Sequence, residues 1–297
     1  MAQTVTIQKD GVVARIDAQG AQLRGLAKDG REYLWQSDPA WWGKSSPVLF
    51  PVVGAAGRGP VESAAGVCTL GKHGFARDME HAVKEVADDG SSVTFELVDT
   101  EETRAAYPYG FVLNMTYAIT GPSTLTQTFA VTNTGDAPMP FSVGGHPAFN
   151  VPAPGAEGEA FDDYELRFTC RWTADSPTMV DGGMLTYENT FRSLDDADVL
   201  PITRELFDCD TVVLSDVPDN TIDLVSRKSG HGVRVSFDGF KFVGIWSAQP
   251  DAPFVAVEPW TGHAALAEED DVLEHRDNVT ILAPGETDVR SFSMTLL

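Results

Sequence analysis

The strongest constraint on this chain is a rhythm of short alternating segments broken by turn dipeptides. "TVTIQ" (Thr4–Gln8), "VVARID" (Val12–Asp17), "SVTFELV" (Ser92–Val98), "LNMTYAIT" (Leu113–Thr120) and "LTQTFAVTNT" (Leu125–Thr134) each place Val, Thr, Phe or Ile at period two. "YELRFT" (Tyr164–Thr169), "TIDLVS" (Thr221–Ser226), "GVRVSF" (Gly232–Phe237) and "SFSMTLL" (Ser291–Leu297) do the same. That period is the signature of strands with one face buried. "KDG", "DDG", "NTGD", "DGG" and "KSGHG" between them are turn chemistry, since Gly and Asn accept positive φ cheaply. Helical periodicity is nearly absent; one short helix is expected within "GHAALAEEDDVLEHRD" (Gly262–Asp277). The chain is therefore expected to be all-β, a large antiparallel β-sandwich with few short helices.

With 297 residues and 42% hydrophobic content, such a sandwich can enclose a large core. Strand signals continue on both sides of the linker-like "VPAPGAEGEAFDD" (Val151–Asp163). That stretch is read as a surface loop, and residues 1–297 as a single domain without 20–50-residue repeats. The 44 acids and 21 bases leave a net charge of −23. This balance repels phosphate backbones and excludes nucleic acid as an expected partner. Cys68, Cys170 and Cys209 stand far apart, so neither a zinc ribbon nor a disulfide framework is indicated. No apolar run approaches the ~20 residues that span a bilayer, and no basic, then apolar leader opens the chain. A cytoplasmic monomer that does not touch membranes is the expectation.

Chemistry centres on three segments. Of six histidines, His81, His231 and His275 sit in polar or turn contexts and are expected at the surface. In "GKHGFARD" (Gly71–Asp78), an extended backbone would put His73, Phe75 and Arg77 on one face. The Arg77 guanidinium suits hydroxyls, carboxylates or phosphates; equally, it could pair with Asp78 or Glu80. In "FSVGGHPAFN" (Phe141–Asn150), Gly144 and Gly145 allow close approach of a ligand or a neighbouring strand, and Pro147 biases His146 away from helix. In "PFVAVEPWTGHA" (Pro253–Ala264), Phe254, Ala256 and Glu258 share a face, with Pro259 expected to end the strand. A carboxylate buried there must be paired, protonated or functional, and burial would raise its proton affinity toward that of a general base. A metal set of His73, His146, Glu258 and His263 is conceivable in composition, but its spacing matches no known pattern, and no Gly-x-Ser-x-Gly elbow or Walker loop is present.

"SPVLFPVVG", "KHGFARD", "FSVGGHPAFNVP" and "FVAVEPWTGHA", in that order, resemble the aldose 1-epimerase family, and within it the LacX-type, galactose-mutarotase-like branch. The motifs run from Ser46 to Ala264. Hexose-6-phosphate 1-epimerases are a sister group. The resemblance implies a β-sandwich with an open concave face, and interconversion of the α and β anomers of a free aldose by ring opening and closure. It needs no cofactor and no metal. By motif, His146 corresponds to the general acid and Glu258 to the general base. His73 and Arg77 correspond to substrate-binding groups. Arg58, after "FPVVG", corresponds to a binding arginine whose usual Gly-Arg pair is displaced here by "GAAG". Asp210 corresponds to an aspartate that bonds sugar hydroxyls, with Asp208 competing two residues away. Trp246 belongs to an aromatic group with Trp41, Trp42 and Trp260 that can stack on sugar C–H faces or pack the core. A phosphosugar epimerase and a non-catalytic sugar-binding module are the alternatives on the same fold.

Overall fold

A computed structural model describes residues 3–297. The expected all-β sandwich is present, and every pairing between named strands is antiparallel. A nine-stranded sheet forms one layer. Its order is Met184–Pro201, Tyr164–Val180, Thr221–Ser226, Gly232–Ser236, Thr287–Leu296, Thr124–Asn133, Phe111–Gly121, Ser92–Val98 and Ala82–Val86. Alternation in these strands works as the sequence implies. Phe95, Leu113, Met115, Phe129, Val131, Phe292 and Met294 point inward and are buried. Hydroxyls point outward and pair across strands, Thr94 with Thr116 at 2.8 Å and Thr128 with Ser291 at 2.9 Å.

The second layer is built from shorter strands in the order Thr211–Ser215, Phe242–Trp246, Phe254–Trp260, Gly144–Gly145 and Val48–Leu49. Ala148–Asn150 also pairs with Phe254–Trp260. Val243, Ile245, Val255 and Val257 join the main core against the nine-stranded sheet, whereas Phe254, Ala256 and Trp260 pack on the opposite face. Both faces of this layer are therefore covered. A four-stranded sheet of residues 4–32 adds Ile7, Ala14, Ile16 and Leu23 to the same core. Among the described residues, no helix is long and apolar enough to cross a membrane.

Several details differ from expectation. No α-helix forms in Gly262–Asp277, where only the 3-10 turn Leu273–His275 occurs. The backbone there is spent on neighbours instead: the Ala265, Ala267 and Leu273 N–H groups donate to the carbonyls of Ala55, Leu185 and Glu62. The α-helix lies at Glu101–Ala106, opened by a reciprocal cap between Thr100 and Thr103. Tyr164–Thr169 is only the start of a strand that runs to Val180, because repeated register shifts break its alternation beyond Arg167. Pro259 does not end its strand, which continues to Trp260. Within Val151–Asp163, the apolar Val151, Ala153 and Ala156 are buried, so this loop is packed down rather than purely superficial. His81, expected at the surface, is 1% exposed, with Nε2 3.0 Å from the Ala76 carbonyl.

Candidate active site

The pocket face of the second layer carries a cleft of about 540 Å³. Register alone sets its centre. Gly144 lies opposite Trp260 and Ala148 opposite Ala256, so His146 falls opposite Glu258 on the same face. The Val257 N–H donates to the Pro147 carbonyl at 3.1 Å and ties the two segments between those points. Nε2 of His146 consequently stands 3.2 Å from Oε1 of Glu258. The two residues are 8% and 1% exposed.

Burial disfavours charge on both members. It pushes the His146 imidazole down to about 3 and holds the Glu258 carboxyl well above the ordinary carboxylate range, with Lys72 and the Trp260 indole opposing that rise. The Trp42 ring stacks on the His146 imidazole at 4.7 Å between centroids, and Trp246 meets it edge-on at 5.5 Å. The imidazole is therefore held in one plane by two indoles.

His73 enters from a turn rather than from an extended strand. Its φ is +67° and Ala76–Asp78 is a 3-10 turn, so the predicted common face of His73, Phe75 and Arg77 does not form. The turn is pinned by a reciprocal pair: His73 N–H donates to the Gly54 carbonyl at 2.7 Å, and Gly54 N–H donates to Nδ1 of His73 at 3.0 Å. An Nδ1 that accepts leaves the proton of the neutral ring on Nε2. Burial keeps the ring neutral by pushing its proton affinity well down. His73 is thus a fixed neutral donor, 5.9 Å from the His146 ring.

Arg77 and Asp210 also line the cleft, and so does Trp246. Arg77 is partly committed, with Nη2 donating to the Lys72 carbonyl at 2.7 Å and Nε 3.4 Å from Asp78. Both Asp208 and Asp210 face the cleft. They do so from the turn between Phe207 and Thr211, not from one strand face, and Asp210 has φ +72°. Arg58 is not brought to the site: it is exposed and its guanidinium donates to the Ala267 carbonyl. His263 also points elsewhere. Its Nδ1 is 2.6 Å from the Ala264 carbonyl, and the described residues contain no group of three or more His, Cys, Asp or Glu placed to hold a metal.

The glycines of the "GGHP" stretch serve packing. A Cβ on Gly144 would lie 2.7 Å from Trp260, and one on Gly145 would lie 2.5 Å from Phe292 in the facing sheet. Gly244, opposite Glu258, would put its Cβ 2.4 Å from the far end of the same Trp260 ring. The indole lies flat across two glycines and floors the cleft. Lys72 is a lining residue that sequence reasoning missed, although it stands directly before His73 in the motif; a lone lysine in a turn looks like a solvated charge. Met179 and Leu185 were also missed. They come from the end of the long hairpin, where Leu185 is fastened to Ala265 and Ala267.

Comparisons with known proteins bear on the family and the fold. A family model described as Aldose 1-epimerase matches residues 3–292. Protein LacX, plasmid, from Lactococcus lactis subsp. lactis is 34% identical over 302 residues, which is 99% of each chain. The crystal structure of the galactose mutarotase related enzyme from Lactobacillus acidophilus is similar with a TM-score of 0.92 at 31% identity, covering 99% of this chain and 97% of that one. A galactose mutarotase-like protein from Lactobacillus casei ATCC 334 is similar with a TM-score of 0.87 at 29% identity, covering 99% of this chain and all of that one.

Proposed function

The chain belongs to the aldose 1-epimerase family, and from that premise we propose that it interconverts the α and β anomers of a free aldose. The observation that carries this reading is the 3.2 Å approach of His146 to Glu258 on the buried cleft face. Ring opening needs one group to take the proton of the anomeric hydroxyl and another to give a proton to the ring oxygen. Glu258 takes the first and His146 gives the second. The C5 hydroxyl and the C1 aldehyde form as the C1–O5 bond breaks. Rotation about C1–C2 and closure on the other face return both protons. Two titratable groups within contact of one another on a buried cleft face suit opposite proton roles, although burial by itself favours the neutral form of each.

The remaining residues bind and orient. His73 offers an Nε2 proton, while Asp208 and Asp210 offer acceptors to hydroxyls. Trp246 and Trp260 offer ring surfaces. These two acids, and an Arg77 already bonded to Lys72 and Asp78, favour an uncharged sugar over a phosphosugar. Anomer exchange followed by NMR across free and 6-phosphorylated aldoses tests the reading. The expected result is rapid exchange of at least one free aldose, reduced about 10²–10⁴-fold in Glu258→Gln. Wild-type exchange no faster than buffer across the panel would leave a sugar-binding role instead.

A further inference from the structure

The Glu258–His146 pair poses an electrostatic problem that its own two members do not solve. Two buried groups in contact are most stable when neither is charged, because removing either ion from water is costly. In that state Glu258 keeps its proton and is no base. Ionising it requires a cation that reaches the cleft without being neutralised elsewhere.

The groups facing Glu258 come from four elements. His146 lies on the adjacent segment, His73, Lys72 and Arg77 on the 71–78 turn, and Asp208 and Asp210 on the turn before Thr211–Ser215; Trp260 follows on its own strand. The two acids work against ionisation. His73 is locked neutral by Gly54. Arg77 shares its charge with Asp78. Lys72 is different: although the residue is exposed, it lines the cleft, and among the described residues its ammonium is paired with no carboxylate, unlike Lys44 and Arg77, which both meet Asp78. Its backbone is fixed on both sides, since the Gly71 carbonyl before it accepts from the Gly74 N–H, its own carbonyl accepts from Arg77, and the next residue is bridged twice to Gly54.

We infer that Lys72 sets the ionisation of the Glu258–His146 pair, acting as a positioning residue for the proton-transfer groups rather than as a ligand for a charged sugar. This rests on the epimerase reading above. Its charge is also felt in the expected direction, being the leading charge influence on both groups: it favours a carboxylate at Glu258 and makes a protonated His146 a stronger acid. Arginine at this position would preserve the effect, and an isosteric apolar chain would not.

The test is the pH profile of kcat/KM on the free aldose that wild type turns over fastest, in wild type, Lys72→Met and Lys72→Arg. Losing a nearby cation raises the proton affinity of both groups. In Lys72→Met both limbs should therefore move to higher pH by about one unit or more, with about tenfold loss on the acidic side. Lys72→Arg should keep the wild-type limbs. Unmoved limbs with a uniform loss at every pH would overturn the inference and make Lys72 a sugar-binding donor. So would unchanged turnover of the free aldose with loss confined to a 6-phosphate. Infrared titration of the Glu258 carboxyl, assigned by Glu258→Gln, needs no substrate. A Lys72→Met shift in that titration supports the inference even if wild type turns over no aldose, and no shift overturns it. Absent turnover by itself counts only against the epimerase reading.

Discussion

The two main sheets handle polar groups in opposite ways. On the nine-stranded sheet most sit on the solvent face, where threonine and serine hydroxyls pair across strands and water covers any shortfall; Gln127 and Asn133 are the inward-facing exceptions on strand Thr124–Asn133. On the shorter-stranded sheet both faces are covered, so Glu258 and His146 reach the cleft floor only at the cost of desolvation. A polar residue on the outer face of the first sheet is a cheap consequence of having an outside. On the second it destabilises the fold and calls for a function that requires it.

That contrast can be broken by experiment. The largest effect is expected from the pair. His146→Ala and Glu258→Gln should each lose about 10²–10⁴-fold in anomer exchange, and the double variant little more than the worse single one, because groups that act as a unit are not additive. Glu258→Gln should meanwhile raise Tm at pH 7, since it removes a buried ionisable acid. A fall in Tm there would put the two sheets on the same footing. Next comes Gly244→Leu, whose new side chain meets Trp260. Overpacking of this kind typically costs about 1–3 kcal/mol, read by denaturant unfolding, with weaker exchange as the floor shifts.

A smaller effect concerns acid. The folded His146 ring takes a proton only near pH 3, while the unfolded ring does so near its usual ~6.5. Its contribution to stability is present above about 6.5 and is lost as pH falls toward 3. Glu258, held high, works the other way and gains stability as pH falls. His146→Gln should therefore lose less stability than wild type between pH 7 and 5, by about 2 kcal/mol, visible as Tm against pH. Smallest of all is Thr128→Val on the outer face, expected within about 0.5 kcal/mol and without effect on exchange.

The same contrast explains what could be read from the sequence. Most strands of the nine-stranded sheet announce themselves by alternation: Ser92–Val98 and Thr221–Ser226 fall where the pattern puts them, as does Val12–Asp17 in the N-terminal sheet, whereas Ala82–Val86 and Met184–Pro201 were not read. Thr211–Ser215, Phe242–Trp246 and Val48–Leu49 carry no such signal, because a strand covered on both faces is apolar throughout and short. His146, Glu258, His73, Arg77, Asp210 and Trp246 were legible through their motifs and do meet in one cleft. Arg58 does not join them, since its guanidinium is taken by the Ala267 carbonyl, a long-range contact that leaves no mark on the local pattern. Lys72 was hidden because its significance lies in a missing partner, which only a three-dimensional arrangement reveals.

Trp260 and the two glycines beneath it have a consequence for how relatives of this chain can diverge. Gly144 is far in sequence from Gly244 and Trp260, yet the three occupy a single volume. None can drift alone: a side chain at either glycine evicts the indole, and a smaller residue at 260 opens a hole above both. Relatives should therefore inherit the three positions together or exchange them together, and a lineage that fills either glycine position should have given up the tryptophan.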